Sequence, residues 1–338
     1  MKNRPLLTIV LTLFASTNFL NAKFITVNTE DNTDFGAGKT NLVRAINLLA
    51  DGDTIQFNIS NATTNKHYLV TPPRDPNNGY PPITNHNVTI DGYSQPGAAP
   101  NSNPILAANN ALIRIVLDSR GDAGTVRGMD GYGTDESATL FVIGATNVHI
   151  KGLCFLGPGP TVGGPPDGTD QDPARYAVSF ALGAHYGHVS GCRIGLDLDD
   201  TSVHRFKDCV TVFGSTAAGS SRISIGVKPG PTDVPGARAQ FNVMIGGFIP
   251  LIFEGGTNYN ISGNFINVFP NGVADYPSDG APPHDIESVM EFGGSINTVI
   301  GTDGDGNNDA EERNIFGGIT AANDDNVHEF YAGEGWAW

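Results

Sequence analysis

An acidic loop near the end of the sequence holds its densest set of oxygen ligands. In "TDGDGNNDAEER" (302–313), Asp303, Asp305, Asp309 and Glu312 stand among glycines that let the chain curl. Calcium prefers carboxylate oxygens, so these four residues are candidate Ca²⁺ ligands. Glycine comes too early for the EF-hand pattern, and a solvated acidic turn is the alternative.

A cluster of basic residues in the middle of the chain could remove a proton from a substrate. Its members are Arg175, His185, His188, Arg193, His204, Arg205 and Lys207. Neutralising a substrate carboxylate lowers the pKa of the neighbouring proton, which a positioned base then takes. The candidate catalytic residues are Arg175, His188, Arg193 and Lys207. Polar residues on an ordinary solvated surface are the alternative.

Paired carboxylates offer a second chemistry. Asp197, Asp199 and Asp200 lie together in "GLDLDD" (195–200). Glycoside hydrolysis needs two carboxyls roughly 5 to 9.5 Å apart across a cleft, whereas neighbouring aspartates are more often found on a turn. The sequence contains no Gly-x-Ser-x-Gly, no His-Glu-x-x-His and no phosphate-binding loop, so those classes have no support.

A repeated strand signature predicts the fold that must position these residues. Three segments align without gaps: "TNVHIKGLCF" (146–155), "HYGHVSGCRI" (185–194) and "TNYNISGNFI" (257–266). Weaker copies occur at 86–94, 221–229, 241–249 and 296–304. Short strands that recur around a glycine break are typical of a β-solenoid, whose aliphatic residues stack from coil to coil. A β-sandwich of short strands is the alternative.

Asparagine within these segments fits the same fold. It tolerates the left-handed backbone of a bend, and its amide can bond to an asparagine one coil above, which forms a ladder. We therefore predict an all-β protein, a right-handed parallel β-helix of about ten coils at ~4.8 Å per coil. The register points Ile150, Val189 and Ile261 inward. It points His188 and Arg193 outward, where they could line a groove.

The regions that flank the repeats differ from them. In "NLVRAINLLADGDTIQFNI" (41–59), helical spacing relates Leu42, Ala45, Ile46 and Leu49. We predict that this short helix caps the first coil, because a solenoid must cover its open end. The predicted divisions are an N-terminal cap with the first coils (23–84), the parallel β-helix (85–320) and a C-terminal tail (321–338). The tail shows no recognisable cap, as a truncated chain would.

The first 22 residues have the pattern of a signal peptide. Lys2 and Arg4 precede an apolar run (6–14), and Ala22 provides a small residue for cleavage. The run is too short to span a membrane, which takes about 20 apolar residues. We therefore expect cleavage near Ala22, a secreted or cell-surface protein, and no membrane span in the mature chain.

Charge and cysteine content exclude further classes. Removing the signal peptide takes away two positive charges and no negative ones, so the formal charge falls from −16 to −18. Nucleic-acid binders carry basic faces, so we expect no nucleic-acid partner. Cys154, Cys192 and Cys209 are odd in number and widely spaced, which favours isolated cysteines over a zinc site or a disulfide framework.

The segment "FITVNTEDNTDFGAGKTNLVRAINLLADGDTIQFNI" (24–59) resembles the N-terminal segment of bacterial right-handed parallel β-helix repeat surface proteins. This is the CSLREA-type group, with a pectin-lyase-like fold. Its pattern joins a Thr-Val strand, an Asn/Asp-rich turn, a Leu-Arg-x-Ala-Ile helix and "GDTI-x-F". The helix here reads Leu42-Val43-Arg44-Ala45-Ile46, without the group's cysteine and acidic residue. Segments 89–103 and 300–318 are similar as well.

The resemblance covers most of the mature chain and implies a fold more strongly than an activity, because the group contains adhesins, autotransported surface proteins and relatives of polysaccharide lyases. We expect a monomeric, exported protein that binds a polysaccharide or cell-surface glycan, as an adhesin does. Lyases of this fold use lysine or arginine as the base. A lyase acting on uronate-containing glycans through the basic cluster is therefore one alternative, and a glycoside hydrolase is another.

Overall fold

The regular secondary structure of the described residues consists almost entirely of short parallel strands. The computed structural model describes residues 22–33, 36–60, 65–72, 80–120, 138–158, 176–206, 208–213, 220–230, 233–246, 250–273, 288–317 and 328–333. Its strands form three parallel sheets, here called A, B and C. From the third strand of sheet A onward, the chain visits A, B and C in turn. This architecture is a parallel β-helix, which confirms the predicted fold and excludes the sandwich.

The strands are numbered in chain order. Sheet A contains β1 Phe24–Val27, β2 Thr54–Phe57, β4 Thr89–Asp91, β7 His149–Lys151, β10 His188–Ser190, β13 Ser224–Gly226, β16 Asn260–Ser262 and β19 Val299–Ile300. Sheet B contains β3 His67–Val70, β5 Ile115–Asp118, β8 Leu153–Leu156, β11 Arg193–Ile194, β14 Asn242–Met244, β17 Asn264–Ile266 and β20 Ile315–Phe316. Sheet C contains β6 Ala138–Ile143, β9 Tyr176–Ala181, β12 Asp208–Phe213, β15 Leu251–Glu254, β18 Ser288–Gly293 and β21 His328–Gly333.

An aliphatic column along sheet A shows how the repeat builds the core. Its members pair in register from strand to strand: Ile25, Ile55, Ile90, Ile150, Val189, Ile225, Ile261 and Ile300. All but the last are buried, which confirms the inward positions predicted from the repeats. Burying each such side chain contributes about 1.5–3 kcal/mol, so the repeated aliphatic position is a main source of stability.

Glycine and asparagine turn the chain between sheets. Gly152, Gly191 and Gly263 join sheet A to sheet B with φ of 68°, 60° and 69°, a region that side chains disfavour. Near the same bend, the buried Asn242 amide donates to Asn264 Oδ1 at 2.9 Å. The Asn264 amide in turn donates to Asn314 Oδ1 at 3.0 Å. The predicted asparagine ladder is thus present.

The predicted N-terminal helix is α1, Leu42–Asn47. Asn41 is its N-cap, since its side chain accepts from the Arg44 backbone nitrogen at 2.8 Å. Leu42, Ala45 and Ile46 are buried and belong to the main core. The other helical segments of the described chain are the 3₁₀ turn Gly92–Ser94 and α2, Val234–Arg238. No helix in the described ranges is long and apolar enough to cross a membrane.

Loops that follow strands of sheet A collect over the outer face of sheet B. Ile105 and Phe241, from two such loops, pack with Phe265 of β17 in a second apolar cluster. Arg238 donates to Glu311 Oε1 at 3.1 Å, and its carbonyl accepts from the Asn101 amide at 3.1 Å. Arg238 lies in the loop after β13, Glu311 in the loop after β19 and Asn101 in the loop after β4. Their contacts therefore join coils that are not neighbours in sheet A.

The structure corrects three details of the prediction. Within the described ranges the longest sheet has eight strands, fewer than the about ten coils expected. The copy at 241–249 supplies β14 of sheet B, because strands of sheets A and B share the same short aliphatic pattern before a glycine. Strand β21 lies inside the predicted tail, so the coils extend beyond residue 320.

Candidate functional site

His188, a predicted catalytic residue, lies on the outer side of sheet A beneath covering loops. It is 6% exposed, and its ring stacks on His149 with centroids 4.3 Å apart. Its Nε2 lies 2.7 Å from the Gly226 carbonyl oxygen, so a proton on Nε2 is donated there. Burial lowers the pKa of His188 to about 4. This neutral, covered imidazole is therefore a structural residue.

Arg193 lies on the outer side of sheet B and is 5% exposed. Its Nη1 pairs with Asp200 Oδ1 at 2.5 Å and donates to the Asp197 carbonyl at 3.2 Å. His188 and Arg193 point away from the core, as predicted, but they belong to different sheets and both are covered. The prediction that they line an open groove is therefore wrong. Arg175 and Lys207 lie outside the described residues.

A charged network on sheet B joins residues that are distant in sequence. Arg120 binds both carboxylate oxygens of Asp118, at 2.7 and 2.8 Å. Its Nη1 lies 3.3 Å from His204 Nε2 and 3.7 Å from Asp197 Oδ2. The Tyr68 hydroxyl donates to Asp197 Oδ1 at 2.8 Å, and Arg120 lies 5.6 Å from the centre of that ring. The loop after β11 thereby reaches back to β3 and β5.

The three aspartates considered for hydrolysis have separate partners. Asp197 belongs to the network, Asp200 pairs with Arg193, and Asp199 accepts from Ser202 within its own turn. The pKa of Asp199 is lowered: its slight burial raises it, but the hydrogen bonds from residues 201 and 202 outweigh this. A glycoside hydrolase needs one carboxyl that stays protonated, and Asp199 is held ionised instead.

The acidic loop (302–313) brings three of its four candidate ligands together. Carboxylate oxygens of Asp303, Asp305 and Asp309 all lie within 4.8 Å of one another. Glu312 is turned inward, 4% exposed, and accepts from the Asp303 backbone nitrogen at 3.0 Å. Burial raises the pKa of Glu312, although the hydrogen bond from Asp303 opposes the rise. The loop therefore offers two exposed carboxylates and one half-buried carboxylate, and calcium binding there stays a prediction.

A row of exposed residues follows the bend between sheet C and sheet A. We call it the corner row, and its members are Asn87, Asn147, Tyr186, Arg222, Asn258 and Asn297. Each adopts a left-handed backbone with φ between 56° and 61°. The backbone nitrogens of the first five members each donate to a carbonyl of the next coil. The amide of Asn147 donates to Asn87 at 3.1 Å, and that of Asn297 to Asn258 at 3.4 Å.

Two residues in the middle of the corner row break the asparagine pattern. Tyr186 is 44% exposed, and the Arg222 guanidinium lies 5.0 Å from the centre of its ring. Arg222 Nη1 also donates to the Tyr186 hydroxyl. Arg222 forms no ion pair with a carboxylate of the described residues. Directly beside the pair, His185 Nδ1 lies 2.8 Å from Ser221 Oγ.

The corner row carries backbone strain where its side chains are largest. A left-handed backbone costs an ordinary residue roughly 1–2 kcal/mol, whereas asparagine adopts it routinely. Tyr186, Arg222 and the nearby Leu182 have φ of 56°, 56° and 48°. Leu182 is also 41% exposed, so these three residues place large side chains in solvent at a cost in backbone energy. Strain that is kept at an exposed position is a reason to look for function there.

The sequence reasoning missed this pair although the alignment contained it. Tyr186 occupies the second position of "HYGHVSGCRI", where the two other strong copies have Asn147 and Asn258. Arg222 occupies the same position in the weaker copy at 221–229. A large residue in an asparagine column was therefore the available signal. The network around Arg120 had no such signal, because loops bring its members together.

Comparisons of the chain with protein-family models, with curated proteins and with solved structures give no match.

Proposed function

We propose that this protein is exported and binds carbohydrate along the corner row, with the Tyr186–Arg222 pair at the centre of the site. The observation that carries the proposal is the replacement of asparagine by two large, strained and exposed side chains at adjacent coils. An exposed aromatic ring can stack on the apolar face of a sugar, and a guanidinium offers several donors to its hydroxyls. The side-chain amides of the flanking Asn147 and Asn258 add further hydrogen-bond donors and acceptors.

The geometry of the corner row favours an extended glycan. Strands in neighbouring coils are spaced ~4.8 Å apart, so six rungs extend over about 24 Å along the axis of the β-helix. Each rung presents one exposed side chain to the same surface. A linear polysaccharide, or the chain of a cell-surface glycan, could contact several rungs at once.

Export is supported by the sequence. The pattern of the first 22 residues is that of a signal peptide, and segment 24–59 resembles the N-terminal segment of exported β-helix surface proteins. A stiff, monomeric β-helix that presents a row of polar and aromatic side chains suits an adhesin-like role.

A glycan-cleaving enzyme is the second candidate, and the network around Arg120 is the observation that favours it. Asp118, Asp197 and His204 all contact the guanidinium of Arg120, and Arg120 is partly exposed. Against this candidate, the pKa of Asp118 is lowered: burial raises it, but hydrogen bonds from Arg120 outweigh that effect. An ionised carboxylate paired to arginine cannot donate the proton that hydrolysis requires.

The test measures binding to an array of glycans, with substitutions inside and outside the corner row. Tyr186→Asn introduces the asparagine that the four other rungs beside the Tyr186–Arg222 pair carry. We expect it to abolish binding while the melting temperature stays level or rises, because the strain is relieved. Leu112→Asn is the matched control, since Leu112 is 50% exposed and lies on a different loop. It should leave binding unchanged.

Two results would contradict the proposal. One is wild-type protein that binds no glycan. The other is binding that survives both Tyr186→Asn and Arg222→Asn. Release of unsaturated sugar that absorbs ultraviolet light, or of reducing ends, from a panel of polysaccharides would instead support a lyase or a hydrolase. Loss of that turnover in Arg120→Ala would then assign the chemistry to the network.

A further inference from the structure

The start of the first strand contacts a buried carboxylate. Asp53, just before β2, is 2% exposed. Its Oδ1 accepts from the backbone nitrogen of Lys23 at 3.0 Å, and its Oδ2 accepts from the backbone nitrogen of Ala50 at 2.9 Å. Among the described residues, its one cation is the side chain of Lys23, whose Nζ lies 3.5 Å away and is largely in solvent. A buried carboxylate is normally compensated by a well-placed charge.

The nitrogen that reaches Asp53 belongs to the peptide bond at which the predicted signal peptide ends. Ala22 and Lys23 are both exposed, so this bond is accessible. A processing peptidase would hydrolyse it with one water molecule. The hydroxyl adds to the carbonyl carbon of Ala22, and the Lys23 nitrogen gains a hydrogen and then takes up a proton at neutral pH. The amide donor thus becomes an α-ammonium group.

We propose that removal of residues 1–22 completes the fold, because the new α-ammonium group of Lys23 forms an ion pair with the buried carboxylate of Asp53. An ammonium offers three donors and a full charge where the amide offers one neutral donor. Charge-assisted hydrogen bonds are about twice as strong as neutral ones. The inference rests on the proposed export, since it requires cleavage after Ala22. It does not depend on glycan binding.

The proposed ion pair between Lys23 and Asp53 lies where the first coil begins, so it can stabilise that coil. The Lys23 carbonyl accepts from the Thr54 nitrogen at 3.0 Å, where pairing of β1 with β2 begins. β1 lies at the edge of sheet A and, among the strands that the structure describes, pairs with β2 alone. An ion pair at its start would hold this strand against β2 and α1. The uncleaved chain has the amide contact without the charge.

Matched pairs of chains separate the effect of the charge from that of the contact. One chain begins at Lys23, and the other retains Asn21 and Ala22. Each is also made with Asp53→Asn and with Asp51→Asn. Asp51 is the matched acid, because it lies two residues away and accepts from the His86 nitrogen instead. Urea unfolding at pH 6 and pH 10 compares their folding equilibrium constants.

At pH 6 we expect the Lys23 chain to have a folding constant about tenfold larger, the equivalent of one pKa unit on the α-amino group. The ion pair raises the pKa of the α-amino group in the folded protein above its unfolded value of about 7.7–8.0. The group then stabilises the fold below that unfolded value, and this stabilisation is lost as the pH rises through the folded pKa. The difference should therefore vanish at pH 10. It should also vanish with Asp53→Asn and persist with Asp51→Asn. Among the described residues, the charged groups beside the pair are Asp53 itself, the Lys23 side chain and, two residues along the chain, Asp51.

The N-terminus of the exported protein completes the test. Sequencing should give Lys-Phe-Ile-Thr, the residues from Lys23 onward. A different mature N-terminus would overturn the inference, as would equal folding constants of the two chains at pH 6. Glycan binding is measured on the same Lys23 chain. Its absence would count against the proposed function and leave the folding comparison intact.

Discussion

Acidification should destabilise the protein through its two stacked histidines. His149 and His188 lie in parallel rings between sheet A and its covering loops, with an interplanar angle of 16°. Burial, with smaller contributions from the nearby Lys228 and Lys151, lowers the pKa of His188 to about 4, although the bond to the Gly226 carbonyl opposes the shift. Burial lowers the pKa of His149 well below 6.5 in the same way. Protonation of either ring would put a cation against the other.

The size of the effect follows from the two states of His188. In the unfolded chain its pKa is near 6.5, and in the folded protein it is about 4. One pKa unit corresponds to 1.36 kcal/mol, so His188 alone accounts for about 3 kcal/mol. Because the unfolded chain takes up the proton first, stability is complete above pH 6.5 and falls towards pH 4. A domain is stable by about 5–15 kcal/mol in total, so the loss is large.

Urea unfolding between pH 7.5 and pH 4.5 measures this slope. Glu312 acts in the opposite direction, because its raised pKa makes the folded state bind protons more readily as the pH falls. The decisive quantity is therefore the difference between wild type and His188→Gln, which keeps a donor for the Gly226 carbonyl. The variant should lose about 2.5 kcal/mol less over this range. Parallel curves for wild type and variant would refute the reasoning.

Four further outcomes test the fold and the acidic loop. Ile261→Asp places a charge in the core and should lower the free energy of unfolding by more than about 4 kcal/mol. Lys151→Gln loses a partly exposed ion pair and should lower it by under about 1 kcal/mol. Equal melting temperatures of the two variants would contradict the register. Gly195→Ala should lower the free energy of unfolding by several kcal/mol, because the new methyl group would lie 2.0 Å from a carbonyl oxygen. Gly272 also has a left-handed backbone but open space around it, so Gly272→Ala should lower it by about 1 kcal/mol. Similar unfolding midpoints of the two variants would argue against the clash. If the acidic loop (302–313) binds calcium, millimolar calcium should raise the melting temperature relative to chelator, and an unchanged melt would remove the site. Burial raises the pKa of all three cysteine thiols, so alkylation should be slow in the native protein and fast in urea; rapid native labelling, read by mass spectrometry, would show that the thiols are accessible.

The fold was predictable because one short signature fixes it. Every coil must place an aliphatic residue inward, and Ile150, Val189 and Ile261 recur at one position for this reason. The helix α1 was predictable because its spacing and its cap are local. The number of coils was not, since the strands of sheet B share the aliphatic pattern of sheet A. The assignment of 241–249 failed for that reason.

The candidate site was only partly predictable. Repeat alignment determines which way a strand residue points, and it placed His188 and Arg193 outside the core correctly. It cannot tell whether an outward side chain is covered, because the covering loops come from other coils. For the same reason, nothing local in the sequence brings Tyr68 to Asp197. Tyr186 was detectable in principle, since it breaks a column of asparagines.

The contacts of Arg238 with Glu311 and Asn101 bear on how the protein comes apart. In a simple solenoid each repeat interacts only with its neighbours, so the last coil can fray while the rest stays folded. Here the loop after β19 is tied to the loop after β13, and that loop is tied to the one after β4. Fraying of the coil that contains β19 must therefore break a contact of the loop that also holds more distant coils together. The number of cooperative unfolding steps should therefore be smaller than the number of coils. A protease should find the coils resistant as one unit and should not remove them one at a time.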